Sequence, residues 1–351
     1  MKKIISLFLV FEIIIGVTLL CGCQDKKEKF KDYSFDYFDT VTTIIGYEKT
    51  KDTFQNNCDK IKEKLYEYHR LYTIYNRYDS LNNLCELNTV TANNHQKLKV
   101  DKKIIDLLDF SLKMYDLTDK KVNIAMGSVL SIWHNYREDG LNHPENASLP
   151  PISKLKEAAK HTDINDIIID KEESTVYLKD NELLLDVGAI AKGYAVEQTA
   201  LWMEKEGMNG YLLNVSGNIR TIGKTFEGDK WKIGIENPDK DNEQDPYIAY
   251  LEFSDKALVT SGSYQRFYTV KGKNYHHIID PETLMPSEYF WSVSVLCNDS
   301  GVADALSTAL FSMPLSEGEK LIESLNDTEA MWVSLDGKKT FSKGFKDFLT
   351  D

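Results

Sequence analysis

The run Leu185-Asp186-Val187-Gly188-Ala189-Ile190-Ala191-Lys192-Gly193-Tyr194-Ala195 restricts the fold of this chain more than any other segment. Leu183 to Val187 predicts a short buried strand that passes without a linker into a helix from about Ala189 to Glu206. A strand that delivers Asp186 straight into a helix start leaves unpaired N–H groups and the positive end of the helix dipole beside a carboxylate. Such a terminus suits a phosphate or pyrophosphate. Tight strand–helix packing selects the same small residues, so the segment alone leaves both explanations open. It is not G-x-G-x-x-G, and it gives no support to a Rossmann site.

Around this segment the chain alternates patterns without a regular β-α-β period. Asp39 to Tyr47 is rich in β-branched residues and predicts a strand, and Phe54, Ile61, Leu65, Tyr68 and Tyr72 recur at helical spacing over 52–73. A second helix is expected from Lys102 to Leu117, a surface loop from Tyr136 to Pro151, a short helix from Ser153 to Lys160 and a hairpin from Asp166 to Leu178. The second half predicts strands over 211–215, 231–236, 247–253, 257–260, 266–270, 291–296 and 330–335, with helices over 302–313 and 316–325. We read the chain as α+β, with mainly antiparallel sheets and packed helices. Its 351 residues are 42% hydrophobic, enough for a large core. The formal net charge of −13 argues against a nucleic-acid partner held by phosphate neutralisation.

Three further clusters carry chemistry. On the helix through Ala303-Asp304-Ala305-Leu306-Ser307-Thr308, i,i+3 and i,i+4 spacing puts Asp304, Ser307 and Thr308 on one face. One carboxylate with hydroxyls is a hard-oxygen set suited to Mg²⁺ shared with phosphates; a solvated polar face, or hydroxyls bonded back to the helix, would leave the same pattern. In Tyr275-His276-His277-Ile278-Ile279-Asp280-Pro281 a histidine could act as a base near neutral pH. His276 and His277 point to opposite faces of a strand, so at most one acts. Thr260-Ser261-Gly262-Ser263-Tyr264-Gln265-Arg266 is a glycine-bearing turn able to bring a hydroxyl and an Arg to an anion.

The N-terminus reads as an export signal: Met1-Lys2-Lys3 is a charged start, Ile4 to Leu20 an apolar run interrupted by Glu12, and Leu20-Cys21-Gly22-Cys23 a lipobox. We expect a signal peptide over 1–22, a lipidated Cys23 opening a charged tether over 23–32 that cannot pack, and a catalytic body over 33–351. An uncleaved single-span anchor is the competing explanation. The product would sit on the extracytoplasmic face of a bacterial cell membrane. Its remaining cysteines, Cys58, Cys85 and Cys297, form no disulfide framework.

Taken in order, these segments resemble the ApbE family of FAD:protein FMN transferases. Phe38 to Ile44, Tyr75 with Asp79-Ser80 and Leu87-Asn88, Leu185 to Ala195, Leu213 to Ile219, Trp231 to Ile235, Thr260 to Arg266, His277 to Pro281 and Ala303 to Thr308 carry the resemblance, from about Tyr33 to the C-terminus. It implies an α+β, T-fold-related single catalytic body that binds FAD with Mg²⁺. It implies transfer of the FMN half to a Thr or Ser hydroxyl of an exported acceptor protein, with AMP released. By position, the Ala189 carbonyl, Asp304 and Thr308 would ligate the metal with Ser307 nearby. Phe38, Tyr75, Lys121, Val122, Asn123, Asp186, Lys192, Ser261, Arg266 and Ile278 would contact FAD, and His277 would be the base. The chain departs from the family pattern at Val122-Asn123, where Phe-Asp is usual, at Thr283-Leu284-Met285-Pro286, where Thr-Gly-x-Pro is frequent, and at Ser216, a frequent Gly. Two alternatives share these features: an FAD pyrophosphatase giving free FMN and AMP, and a non-catalytic flavin-binding lipoprotein.

Overall fold

The computed structural model describes residues 26–38, 40–94, 96–242 and 244–351. The expected signal peptide and Cys23 lie outside the described residues. Strands β1 (Glu28–Tyr37) and β2 (Thr40–Glu48) pair antiparallel and lead into α1 (Lys51–Tyr72), where the Thr50 side chain caps the helix by accepting from Thr53 N at 3.1 Å. Then come α2 (Leu84–Asn94), β3 (Leu98–Lys99) and α3 (Lys102–Leu117), capped by Asp101. Next are α4 (Gly127–Asn142), α5 (Ile152–Ala158), the hairpin β4 (Ile167–Asp170) and β5 (Thr175–Leu178), and α6 (Ala191–Lys205). The strands β6 (Tyr211–Val215), β7 (Asn218–Ile222), β8 (Trp231–Glu236), β9 (Tyr247–Phe253), β10 (Ala257–Gly262), β11 (Phe267–Val270), β12 (Lys273–His276) and β13 (Phe290–Cys297) follow. Helices α7 (Ser300–Phe311) and α8 (Leu315–Glu323) and strands β14 (Glu329–Ser334), β15 (Lys339–Phe341) and β16 (Leu349–Thr350) complete the chain.

Eight strands form one sheet in the order β1-β2-β6-β7-β10-β13-β14-β15, every neighbouring pair antiparallel. Residue alternation divides its central strands between two cores. Ala257, Val259, Val293, Val295, Ala330 and Trp332 join the core that contains Ala303, Leu306 and Leu310 of α7 and Ala191 and Ala195 of α6. Their neighbours Leu258, Leu296, Met331 and Val333 face the other way and meet Trp231, Ile233, Leu251 and Phe253 of the small sheet β16-β9-β8. The site is built on the helical side.

The structure corrects several expectations. Leu183 to Val187 is extended but belongs to no sheet. Its peptide groups are satisfied individually: the Asn88 amide accepts from Leu185 N (2.8 Å) and donates to Leu185 O (3.0 Å), Asp186 N donates to Ile124 O (2.8 Å) and Gly127 N donates to Leu184 O (2.9 Å). A Cβ on Gly127 would stand 2.3 Å from that Leu184 oxygen, so this approach requires glycine. The tether expected over 23–32 does not stay unpacked: from Glu28 onward it is β1, whose Lys29 and Lys31 face solvent while Asp32 bonds Lys62 at 2.7 Å. Charge alternating with aromatics is what an edge strand tolerates. The expected loop over 136–151 is helical as far as Asn142. The strand β7 and the helix α2 have no counterpart in the pattern, and the strand expected at His276-His277 is β12, which ends at His276.

Candidate active site

Two helices make the floor. The first turn of α6 donates Gly193 N to Asp304 Oδ2 of α7 (2.7 Å), and the first turn of α7 donates Ser300 N to Glu197 Oε2 of α6 (2.7 Å). Each helix start is thus satisfied by a carboxylate from the other. Glu197 is itself held by Arg220 of β7 at 3.0 Å, an ion pair with both partners buried. A Cβ on Gly193 would stand 2.4 Å from Asp304 Cβ and 2.4 Å from Ser300 O. The glycine of Ala-Lys-Gly-Tyr-Ala is there because α6 and α7 touch.

Above this floor lies a cleft of about 270 Å³ bounded by α4, the 186–192 segment, β10, the His277 loop and α7. Asp304, Thr308 and Ala189 line it together. Ser307 does not: it is fully buried one layer behind, donating to Asp304 O (3.0 Å) and sharing a bond with Ser261 Oγ (2.8 Å), which stands 3.5 Å from Thr308 Oγ1. Lys192 bonds Asn218 Oδ1 and places Nζ 3.9 Å from Asp304 Oδ1. Burial pushes Asp304 up from the usual carboxylate range, with Lys192 opposing, and burial pushes Lys192 down, with Asp304 opposing. Asp186, whose Oδ1 accepts from Gly188 N (2.8 Å), is also pushed up by burial. No group of three or more His, Cys, Asp or Glu gathers into a metal cluster among the described residues. One carboxylate, one half-buried hydroxyl and a turn of backbone make an oxygen-only donor set. They fit Mg²⁺ held jointly with substrate phosphates, and they do not fit zinc.

The two histidines separate cleanly. His276 Nε2 donates to Ser287 O (2.7 Å), its Nδ1 accepts from Ile278 N (3.2 Å), and its ring stands edge-on to Phe311 with centroids 5.4 Å apart. Both nitrogens are spent on structure, and burial pulls its pKa down. His277 lines the cleft, with Nδ1 3.2 Å from Arg266 O. A carbonyl only accepts, so Nδ1 carries the proton and Nε2 keeps its lone pair. Enclosure by the cleft walls and the neighbouring Arg266 charge both oppose protonation. The ring keeps more than a third of its surface open through the cleft mouth, and with both influences opposing the charge His277 is neutral at pH 7.

The His277 loop is fastened from outside. Lys121, with its side chain 8% exposed, bonds Glu282 (2.7 Å) and Asp280 (3.4 Å); burial works against its charge, but these carboxylates outweigh it. Its ammonium is engaged with the loop, although the residue lines the cleft. Leu284 adopts φ 61°, the left-handed conformation that glycine takes without strain. The leucine is retained by packing: it is buried in a cluster with Trp133 and Tyr268, and its carbonyl accepts from Trp133 Nε1 (2.9 Å). Ser216 likewise has φ 48° at the cleft edge.

At the far end, Tyr75 and His134 bring their rings to 5.4 Å, and Arg137 Nη2 donates to His134 Nδ1 (3.1 Å). Leu130, His134 and Arg137 of α4 line the cleft at i, i+4, i+7 spacing, a helical signal the sequence reading passed over. Asn123 caps the turn after it, accepting from Ala125 N (2.8 Å) and donating to Thr162 O (2.9 Å). An Asp could make the first bond but not the second. Val122, Ile278, Ser261 and Arg266 line the cleft as expected; Phe38 does not, its ring standing edge-on to His69 at 5.6 Å.

The model of the ApbE family matches residues 38–332. The chain belongs to the ApbE family. It is similar to the FAD:protein FMN transferase of Vibrio cholerae, 28% identical over 349 residues covering 96% of this chain and 98% of that protein. Among solved structures, the ApbE protein of Thermotoga maritima matches with a TM-score of 0.79 at 26% identity, and the flavin transferase ApbE of Vibrio cholerae with 0.74 at 25%. Each covers 92% of this chain and 100% of the other. The ApbE architecture therefore accounts for the whole described body, and the expected α+β antiparallel fold is the observed one.

Proposed function

We propose that this ApbE protein transfers the FMN moiety of FAD to a Thr or Ser hydroxyl of an exported acceptor protein and releases AMP. Relatives along the full length named FAD:protein FMN transferase support the activity class. The observation that carries the chemistry is His277: its Nδ1 bond to Arg266 O leaves Nε2 a free base in the cleft that Asp304, Thr308 and Ala189 also line. A binding protein has no use for such a base.

In this reading Tyr75, Asp186, Arg266 and Ile278 hold FAD, and Lys192 and Arg266 offset its pyrophosphate charge. Asp304, Thr308 and the Ala189 carbonyl would hold Mg²⁺, with Ser261 and Ser307 fixing Thr308 and Asp304 from behind. The cation supplies Lewis-acid neutralisation of the phosphoryl oxygens. His277 Nε2 takes the proton of the acceptor hydroxyl, whose oxygen attacks the FMN-side phosphorus. The bridging P–O bond breaks, and AMP leaves with that oxygen. Lys121 and Asn123 act here by positioning the loop and turn around the flavin.

We further propose a signal peptide over 1–22 and lipidation at Cys23, with the body on the extracytoplasmic face. Incubation with FAD, Mg²⁺ and a candidate acceptor tests the reaction. A gain of one FMN in the acceptor's mass is expected. Free FMN with an unmodified acceptor would reassign the protein as a pyrophosphatase.

A further inference from the structure

We infer that the outer face of β1 lies against an anionic lipid surface and holds the body down on the membrane; this rests on the proposed lipidation of Cys23. Successive odd-numbered residues of β1 present Lys29, Lys31, Tyr33 and Phe35 to one side, all exposed, Tyr33 at 50% and Phe35 at 72%. Lys31 lies over the Tyr33 ring at 4.7 Å. On β2 the same face continues through Val41, 42% exposed. Among the described residues β1 pairs only with β2, so its other edge is open.

Lysine on an edge strand is a common guard against aggregation. It does not explain two exposed aromatics beside the lysines. Basic side chains with aromatic rings form the composition that settles at a membrane interface. Two observations select lipid over another occupant. The first is reach: Glu28 stands five positions after Cys23, a span of at most about 18 Å, so a lipidated Cys23 brings β1 to the headgroups. The second is charge. In a chain of net charge −13, the odd-numbered side of β1 carries Lys29 and Lys31 and no carboxylate: Asp32 turns to Lys62, and the exposed Glu28 and Asp36 stand at even positions, Asp36 accepting from Ser34 Oγ at 2.9 Å. Beside Lys29, the neighbouring depression sets Lys224, Lys230 and Lys232 against Glu227, Asp229 and Glu252. Val41 O accepts from Ser216 N (3.1 Å), and Ser216 lines the cleft, so β2 carries this face to the rim of the cleft.

The test uses the full chain purified with its anchor, in phosphatidylcholine vesicles with and without about one-third phosphatidylglycerol. The mass of the N-terminal peptide reports lipidation of Cys23 independently of docking, and an unlipidated protein is incubated with the same vesicles. Amide exchange in β1 should slow at least fivefold in the anionic vesicles relative to the neutral ones. Quenching of a Phe35→Trp variant by brominated lipid, read as its difference from wild type, should follow the same pattern. Each lysine contributes about fivefold to such binding, so Lys29→Gln with Lys31→Gln should remove the protection while leaving FMN transfer in solution unchanged. Equal exchange in neutral and anionic vesicles would overturn the inference. Protection that arises without lipid and rises with protein concentration would assign the face to a second copy of the chain instead.

Discussion

His276 and His277 are adjacent and chemically identical, yet their hydrogen bonds give them different work. His276 is neutral because burial depresses its pKa below the ordinary 6.5, so the unfolded chain binds the proton more readily. Its contribution to stability is fully present above pH 6.5 and is lost as pH falls toward its lower folded-state pKa. Urea titrations from pH 7.5 to pH 5 should show a decline that is shallower in His276→Asn; parallel slopes would contradict that origin. At Asp304 the charge and the shape can be separated. Asp304→Asn keeps an acceptor for Gly193 N, and burial already opposes the carboxylate, so stability should move by no more than about 1 kcal/mol. Mg²⁺-dependent AMP release from FAD should fall about a hundredfold or more. Full turnover by that variant would remove Asp304 from the metal site.

At the scale of elements, the reciprocal bonding of α6 and α7 sets the spacing on which the cleft depends. Gly193→Ala inserts a Cβ 2.4 Å from both Asp304 Cβ and Ser300 O, and neither backbone nor a buried carboxylate yields cheaply. We expect a loss of about 1–3 kcal/mol by denaturant unfolding, with a rise in the Mg²⁺ concentration needed for activity. Wild-type stability and metal dependence together would mean that the helices are not held at this spacing. The elements also show what the sequence discloses and what it withholds. Helix α3 runs over Lys102–Leu117 as its periodicity predicts, because an amphipathic helix encodes its buried face locally. Leu183 to Val187 defeats the same logic: it has strand composition, but its partners are Asn88, Ile124 and Gly127, distant in sequence and none of them in a strand. β1 reads as a tether because its outward lysines dominate the composition, while Phe30 on its inward face stacks on Phe54 of α1 with centroids 5.5 Å apart, a contact the composition does not disclose. In the site, helical spacing puts Asp304, Ser307 and Thr308 on one face, whereas Ala189 and the choice of His277 over His276 come only from the family resemblance. His134 and Arg137 are not legible: no helix is predicted over 127–135, and the polar stretch from Tyr136 onward reads as a loop, whereas both residues lie on α4.

Across the whole molecule, acidity and function pull in opposite directions. A chain with 55 Asp and Glu against 42 Lys and Arg repels a pyrophosphate at long range, so in the proposed reaction affinity would come from local devices: Lys192, Arg266, the helix start at Ala191 and a cation held at Asp304. The sequence motif left open both a helix terminus for phosphate and tight strand–helix packing. The structure refines this, because Asp304 already occupies one N–H of that terminus and brings the carboxylate a metal requires. The central claim is that one cleft combines this phosphate cradle with a neutral, correctly oriented base. His277→Ala tests it most directly when FAD binding and FMN transfer to an acceptor are measured on the same preparation. The account predicts FAD affinity within a few-fold of wild type and transfer reduced about 10²–10⁴-fold. Transfer at the wild-type rate would contradict it.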